Sequence, residues 1–192
     1  MPKDPQTVNK VVELLTSQYI PYVKEAIVWL ETYTGERSKR SIHELRNALD
    51  HMAVALNEDT DAEGATKSLC AVEEHFRRAA VEPVEWIALE ELQHLIKIRS
   101  KGVWWWKFLF LKPIDTDQFN SKIYEGMQFI DRGRNYKGIS LKDSYENLNR
   151  GYEIFHKLLD EIRPAELRSR IFAVVWAFVF TVFGCLLTLL LN

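Results

Sequence analysis

The 22 residues from Ile171 to Asn192, IFAVVWAFVFTVFGCLLTLLLN, carry no charged side chain. About 20 consecutive apolar residues are enough to cross a ~30 Å hydrocarbon core as a helix. A helix packed against the core of a soluble domain keeps a polar stripe, and this one has none. The stretch therefore reads as a transmembrane helix, with lipid as the partner of residues 171–191. Arg163, Arg168 and Arg170 precede it, and Asn192 alone follows it. Basic residues favour the cytoplasmic side. The expectation is a single-pass C-terminal anchor with the N-terminal domain in the cytoplasm. Trp176 and the phenylalanines at 172, 178, 180 and 183 suit a lipid-facing surface. Gly184 is the only glycine in the stretch, so no GxxxG motif makes the tail itself a dimer.

The rest of the chain is one domain with an extension. The net charge of −2 in 192 residues gives no global nucleic-acid signature. Any contact with RNA or DNA must therefore be local. Cys70 and Cys185 are the two cysteines, far apart and with one in the apolar tail, which fits a reducing compartment rather than a disulfide framework.

Apolar periodicity gives an all-α architecture, a bundle of five to seven helices plus the tail. The first helix is expected over Thr7 to Thr34, with Val8, Val11, Val12, Leu15, Tyr19, Val23 and Ile27 at three- and four-residue steps. Pro21 should split or kink it, and Gly35 should stop it. A second helix is expected over Ser41 to Leu56, capped by Ser38 or Ser41. Its core stripe reads as Ile42, Leu45, Leu49, Met52 and Leu56. Further helices are expected over Ala62 to Ala80, Pro83 to Ser100, Thr116 to Arg132 and Ser140 to Arg163, with a break at Glu82-Pro83. The run VWWWKFLFLKP, Val103 to Pro113, is too short to span a bilayer. It reads either as interfacial, with Trp rings at headgroup depth, or as a loop that fills a gap in the core.

The chemistry-bearing pattern lies on the second helix. In HELRNALDH, His43 to His51, the residues Arg46, Asn47 and His51 form R-N-x-x-x-H. Asn47 and His51 are four apart and share a face, with His43 one turn earlier. This polar set should stand beside the core stripe and be displayed. Its setting, ELRNALDHM on an amphipathic helix after a long first helix, resembles the HEPN superfamily, as does the later AVEEHFRRAA, Ala71 to Ala80. HEPN proteins are all-α, and their ribonuclease members carry an Arg followed by a polar residue and a His. The likeness covers roughly residues 7–100. It implies a dimeric, metal-independent endoribonuclease of a prokaryotic defence or toxin system that needs no cofactor and takes RNA as substrate. His51 would be general acid or base. Arg46 would hold the scissile phosphate, Asn47 would orient the group, and the product would be a 2′,3′-cyclic phosphate. Arg37, Lys39 and Arg40 could track backbone phosphate. Some HEPN toxins carry a modified Tyr two positions after the His; this chain has Ala53 there.

Two other readings remain open. A non-enzymatic helical sensor or scaffold, with a regulatory partner protein, could cluster its tails and disrupt a membrane. The helix over 140–163 would then carry the signal. Alternatively Glu91-x-x-His94 and Glu153-x-x-His156, with further glutamates, could hold a di-iron centre. His75, among Glu73, Glu74, Arg77 and Arg78, reads as part of a salt-bridged face. No HExxH, CxxC, Walker or GxGxxG motif occurs. The boundaries expected are 1–101 for the HEPN-like helical domain, 102–165 for a helical extension with the Trp-rich segment, and 166–192 for the transmembrane helix.

Overall fold

The computed structural model describes the backbone of residues 4–100 and 116–191, and the side chains of 4–99, 116–161 and 171–183. The described residues are helical throughout apart from short turns, and none is in a strand. The helices are α1 (Pro5–Leu14), α2 (Lys24–Thr34), α3 (Lys39–Leu56), α4 (Ala62–Ser100), α5 (Thr116–Tyr136) and α6 (Leu141–Leu191). The expected Trp-rich segment, Val103 to Pro113, lies outside the described residues.

The three internal prolines in helical sequence do not end helices. Between α1 and α2 the chain stays helical through a π-helical stretch, Leu15–Val23, that contains Pro21. Proline lacks the N–H of the α ladder and crowds the preceding turn. A wider i→i+5 winding absorbs that mismatch without breaking the axis. The break expected at Glu82-Pro83 is absent too, because α4 runs on through Pro83 for 39 residues. Val81 and Val84, on either side of Pro83, have no exposed surface. Burial of both flanks outweighs one lost hydrogen bond. The backbone of α6 likewise continues past Pro164 as one helix of 51 residues.

Where stops were expected, two appear. Gly35 ends α2 in the left-handed region at φ 72°, where its N–H donates to the Glu31 carbonyl at 2.9 Å. Ser38 caps α3, its Oγ accepting from the Ser41 N–H at 3.3 Å.

The core is a single apolar cluster that draws on every described helix from Val11 to Leu159. Its densest part is the middle of α4, where Ala79, Ala80, Val81, Val84, Ile87 and Ala88 are completely buried. α2, α3 and α6 all pack on α4, and α5 packs on α6. On α3 the buried face is Ser41, Glu44, Ala48, Met52 and Ala55. This corrects the expected stripe: Ile42 is 47% exposed and Leu49 63% exposed, while Ala48 and Ala55 are at 0%. Small side chains let the α3 and α4 backbones approach closely, so alanine faces inward and leucine faces out. The same register leaves Val8 and Val12 of α1 exposed.

Glycines set the α5–α6 contact. A Cβ on Gly133 would sit 2.6 Å from Leu148 Cγ, and one on Gly151 would sit 2.7 Å from Ile130 Cδ1. A Cβ on Gly126 would enter the Phe155 ring. Ser144, fully buried, adds a polar stitch by donating its Oγ–H to the Gly133 carbonyl at 2.7 Å. At the α5–α6 turn, Arg134 and Lys137 reach Glu85 of α4 at 2.8 Å and 3.3 Å. Burial alone would raise the Glu85 carboxyl, but these two cations hold it below the usual carboxylate range.

Beyond Leu159 the character of α6 changes. Every residue from Ile171 to Phe183 is exposed, apolar residues included, on all sides of the helix. Among the described residues no helix is long and apolar enough to cross a membrane. The rest of the apolar stretch, 184–192, lies outside the described side chains.

Gly133→Ala tests the close approach. In an exposed helix the change would stabilise by up to about 1 kcal/mol; here overpacking should destabilise by about 1–3 kcal/mol. Gly138→Ala, whose added Cβ meets nothing within 4 Å, should leave stability near wild type. Urea unfolding of the full chain in detergent, followed by circular dichroism at 222 nm, distinguishes the two outcomes.

Candidate functional site

The exposed and half-buried faces of α3 separate Arg46 from Asn47 and His51. Arg46 is exposed and makes no ion pair among the described residues. Asn47 and His51, one turn apart, are half-buried. Five residues on an α-helix turn through 500°, so Arg46 and His51 point about 140° apart. Within one copy of the chain, Arg46 therefore does not converge on the imidazole of His51. His43, expected on the same side, is exposed.

His51 instead faces α4, where its ring stacks on His75 with centroids 5.3 Å apart and planes within 20°. The Nδ1 of His75 lies 2.7 Å from Glu44 Oε2. Both of those side chains are nearly buried, at 13% and 12% exposure. Positions 44, 48 and 51 follow each other up one side of α3, which is why the carboxylate and His51 both reach α4. The result is a line of Glu44, His75 and His51 running from the interior to the surface. A buried carboxylate against Nδ1 fixes the orientation of His75, and a second imidazole over its face shields it from water.

His75 was expected on a salt-bridged face. That face exists, but it belongs to its neighbours: Arg78 bonds Glu74 at 2.7 Å, and Arg77 lies 4.0 Å from the same residue. His75 points the other way. Sequence reading missed Glu44 because it stands between His43 and Leu45 in a pattern whose leucines looked like the core. The available signal was the helical spacing of Glu44, Ala48 and His51.

A second carboxylate–imidazole pair joins α4 to α6. Glu91 is 3% exposed, and its Oε1 is 3.3 Å from His156 Nδ1. The other His156 nitrogen lies 3.5 Å from Asp160, and its ring stacks on Tyr152 at 5.1 Å. Trp29 of α2 meets Tyr152 edge-on at 4.4 Å. Burial, then the charges of Glu91 and Glu90, push the phenol of Tyr33 on α2 up to about 12. The sequence pairs Glu91-x-x-His94 and Glu153-x-x-His156 therefore do not act as units. Glu91 serves His156 across the helix interface. Glu91 and Asp160 sit on opposite nitrogens of His156, so they do not converge on one point. Among the described residues no group of three or more His, Cys, Asp or Glu is placed to hold a metal ion. The di-iron arrangement has no ligand set there.

Comparison with protein-family models, with curated proteins and with solved structures returns no match.

Two measurements test these pairs. Glu44→Ala leaves His75 buried without its acceptor and should cost about 1–3 kcal/mol in urea unfolding. An unfolded tyrosine ionises near pH 10, whereas folded Tyr33 keeps its proton to about 12. Because the folded value is raised, this contribution is complete below about pH 10 and is lost as pH rises toward 12. Tyr145, pushed up to about 12 by burial and then Glu25, acts in the same window. Tyr33→Phe should therefore lessen, without abolishing, the fall in stability between pH 10 and 12. An equally steep fall would refute the assignment.

Proposed function

We propose that the chain is a membrane-tethered helical domain, in which a rigid bundle is joined through one continuous helix to an apolar tail inserted in lipid. The observation that carries this reading is the run from Ile171 to Phe183, apolar on every side and exposed throughout. A helix that is hydrophobic all round is either buried in protein or solvated by lipid, and this one is not buried in its own domain. Phe172, Trp176 and Phe180 add an aromatic ladder along it, with ring centroids 5.9 Å and 5.3 Å apart. From 171 to 191 a helix rises about 31 Å, the thickness of a hydrocarbon core. The arginines at 163, 168 and 170 support a cytoplasmic side for the domain.

On this reading the bundle works as a sensor or scaffold, and α6 transmits its state to the tail. Copies of the chain associate through the apolar residues that α3 leaves outside. Ile42, Leu49 and Leu56 recur every seven residues and are 47%, 63% and 38% exposed. Such a seam is what a second helix covers.

A second reading, metal-independent RNA cleavage by an HEPN-like domain, draws its support from Glu44, His75 and His51. Two stacked imidazoles backed by a carboxylate are suited to moving a proton at neutral pH. Arg46 would then hold phosphate for the His51 of another copy, since its own His51 points elsewhere.

Flotation with anionic phospholipid vesicles tests the tether. The full chain should rise with the lipid through 1 M salt, and the chain without residues 165–192 should stay at the bottom of the gradient. A full chain that remains with the soluble fraction refutes it. Incubation of the detergent-solubilised protein with RNA in the presence of EDTA tests the second reading. Cleavage should fall at least about 100-fold in His51→Ala if His51 is the acid or base; equal cleavage by both refutes it.

A further inference from the structure

The elbow between α2 and α3 closes against α4 to form a cavity of about 300 Å³. None of Arg46, Asn47 and His51 lines it. Its apolar surface comes from Leu30, Pro83 and Trp86. Trp86 is 44% exposed although it is the largest side chain there, and Tyr33 meets its ring edge-on at 6.1 Å and 86°. An indole oriented in this way offers a flat face to a ligand.

The charges around the cavity can be accounted for one by one. Arg40 pairs with Glu82 at 2.8 Å, and Arg78 with Glu74 at 2.7 Å. Glu44, on the inner wall, holds His75 at 2.7 Å. Glu36 and Arg37 line the cavity with no ion pair among the described residues. The mouth thus keeps one acid and one base over an apolar interior. Beside Arg37, α3 begins; Ser38 Oγ takes the Ser41 N–H at 3.3 Å and the Ser38 N–H donates to Glu31 Oε1 at 3.3 Å. The start of the helix thus already has its own carboxylate, which leaves Arg37 as the cation at the mouth.

We propose that this cavity binds a free amino acid with an apolar, preferentially aromatic, side chain. Arg37 takes its carboxylate, Glu36 takes its ammonium group, and Leu30, Pro83 and Trp86 take the side chain. The bound molecule lies against Glu44, whose other face holds the His75–His51 stack. Occupancy therefore presses on the α3–α4 interface from the elbow. This site stands independently of the membrane tether.

The experiment is isothermal titration of the full chain in detergent micelles with L-tryptophan, indole-3-acetate and tryptamine, each corrected by a micelle-only blank. L-Tryptophan should bind saturably. Each analogue lacks one charged group and should bind at least about ten-fold more weakly. Arg37→Gln should weaken L-tryptophan about ten-fold or more and leave tryptamine unchanged. Glu36→Gln should weaken L-tryptophan and leave indole-3-acetate unchanged. Both positions are exposed and unpaired, so these variants keep the fold, which a thermal melt verifies. Trp86→Ala should abolish binding and Trp86→Phe should retain it. No saturable binding of L-tryptophan overturns the proposal. So does binding of either analogue as tight as that of L-tryptophan, or wild-type affinity in Arg37→Gln.

Discussion

Burial along the middle of α4 is the constraint on which the rest of the molecule depends. Between Ala79 and Ala88 six residues of this helix, Ala79, Ala80, Val81, Val84, Ile87 and Ala88, have no exposed surface. A buried face this wide needs partners from several directions, and α2, α3 and α6 supply them. That enclosure keeps α4 helical through Pro83, at the expense of one backbone hydrogen bond. It also sets the register of α3, because only Ala48, Ala55 and Ser41 allow the two backbones so near. The leucines that would have made an ordinary apolar stripe are turned outward as a consequence.

The helical class, the α3 limits, the Gly35 stop and the Ser38 cap were legible from local pattern, because each depends on near neighbours in the chain. The prolines were misleading for the opposite reason. Pro21 and Pro83 are read as breakers by intrinsic propensity, which tertiary packing overrides. The face of α3 was misread because hydrophobicity was weighed without size; a close helix pair prefers alanine to leucine. Of the candidate site, the spacing of Asn47 and His51 was visible as one helix face. Their partners were not, since His75 and Glu44 are 31 positions apart and meet only when α3 folds back on α4. Glu91 and His156, 65 positions apart, were likewise beyond any local pattern.

The two carboxylate–imidazole pairs divide α4 between them. Glu44 binds His75 at its first half, and Glu91 binds His156 at its second. Each buried carboxylate would be costly alone. Each is placed where two helices must hold a fixed rotation about one another, since a hydrogen bond is directional and an apolar contact is not. Tyr33 and Trp29 extend the second pair to α2, through Glu91 and Tyr152 respectively. The polar groups therefore fix the orientation of three helices around α4, and the apolar core supplies the attraction.

That orientation matters most for α6, because it leaves the bundle. Its glycine Gly151, with Gly126 and Gly133 of α5, brings the two backbones into contact, so α6 can neither slide nor roll without a clash. Ser144 and the Glu91–His156 pair lock it further. The helix held this firmly over its first five turns runs on to residues 171–183 with no loop between. The elbow cavity lies on the other side of α4, lined by Trp86 and Glu82 of that helix. Trp86 meets Tyr33 edge-on, Tyr33 feels the charge of Glu91, and Glu91 holds His156 on α6. The elbow and α6 thus share neighbouring side chains on α4. Coupling between them requires two arrangements of those side chains that a ligand can tell apart.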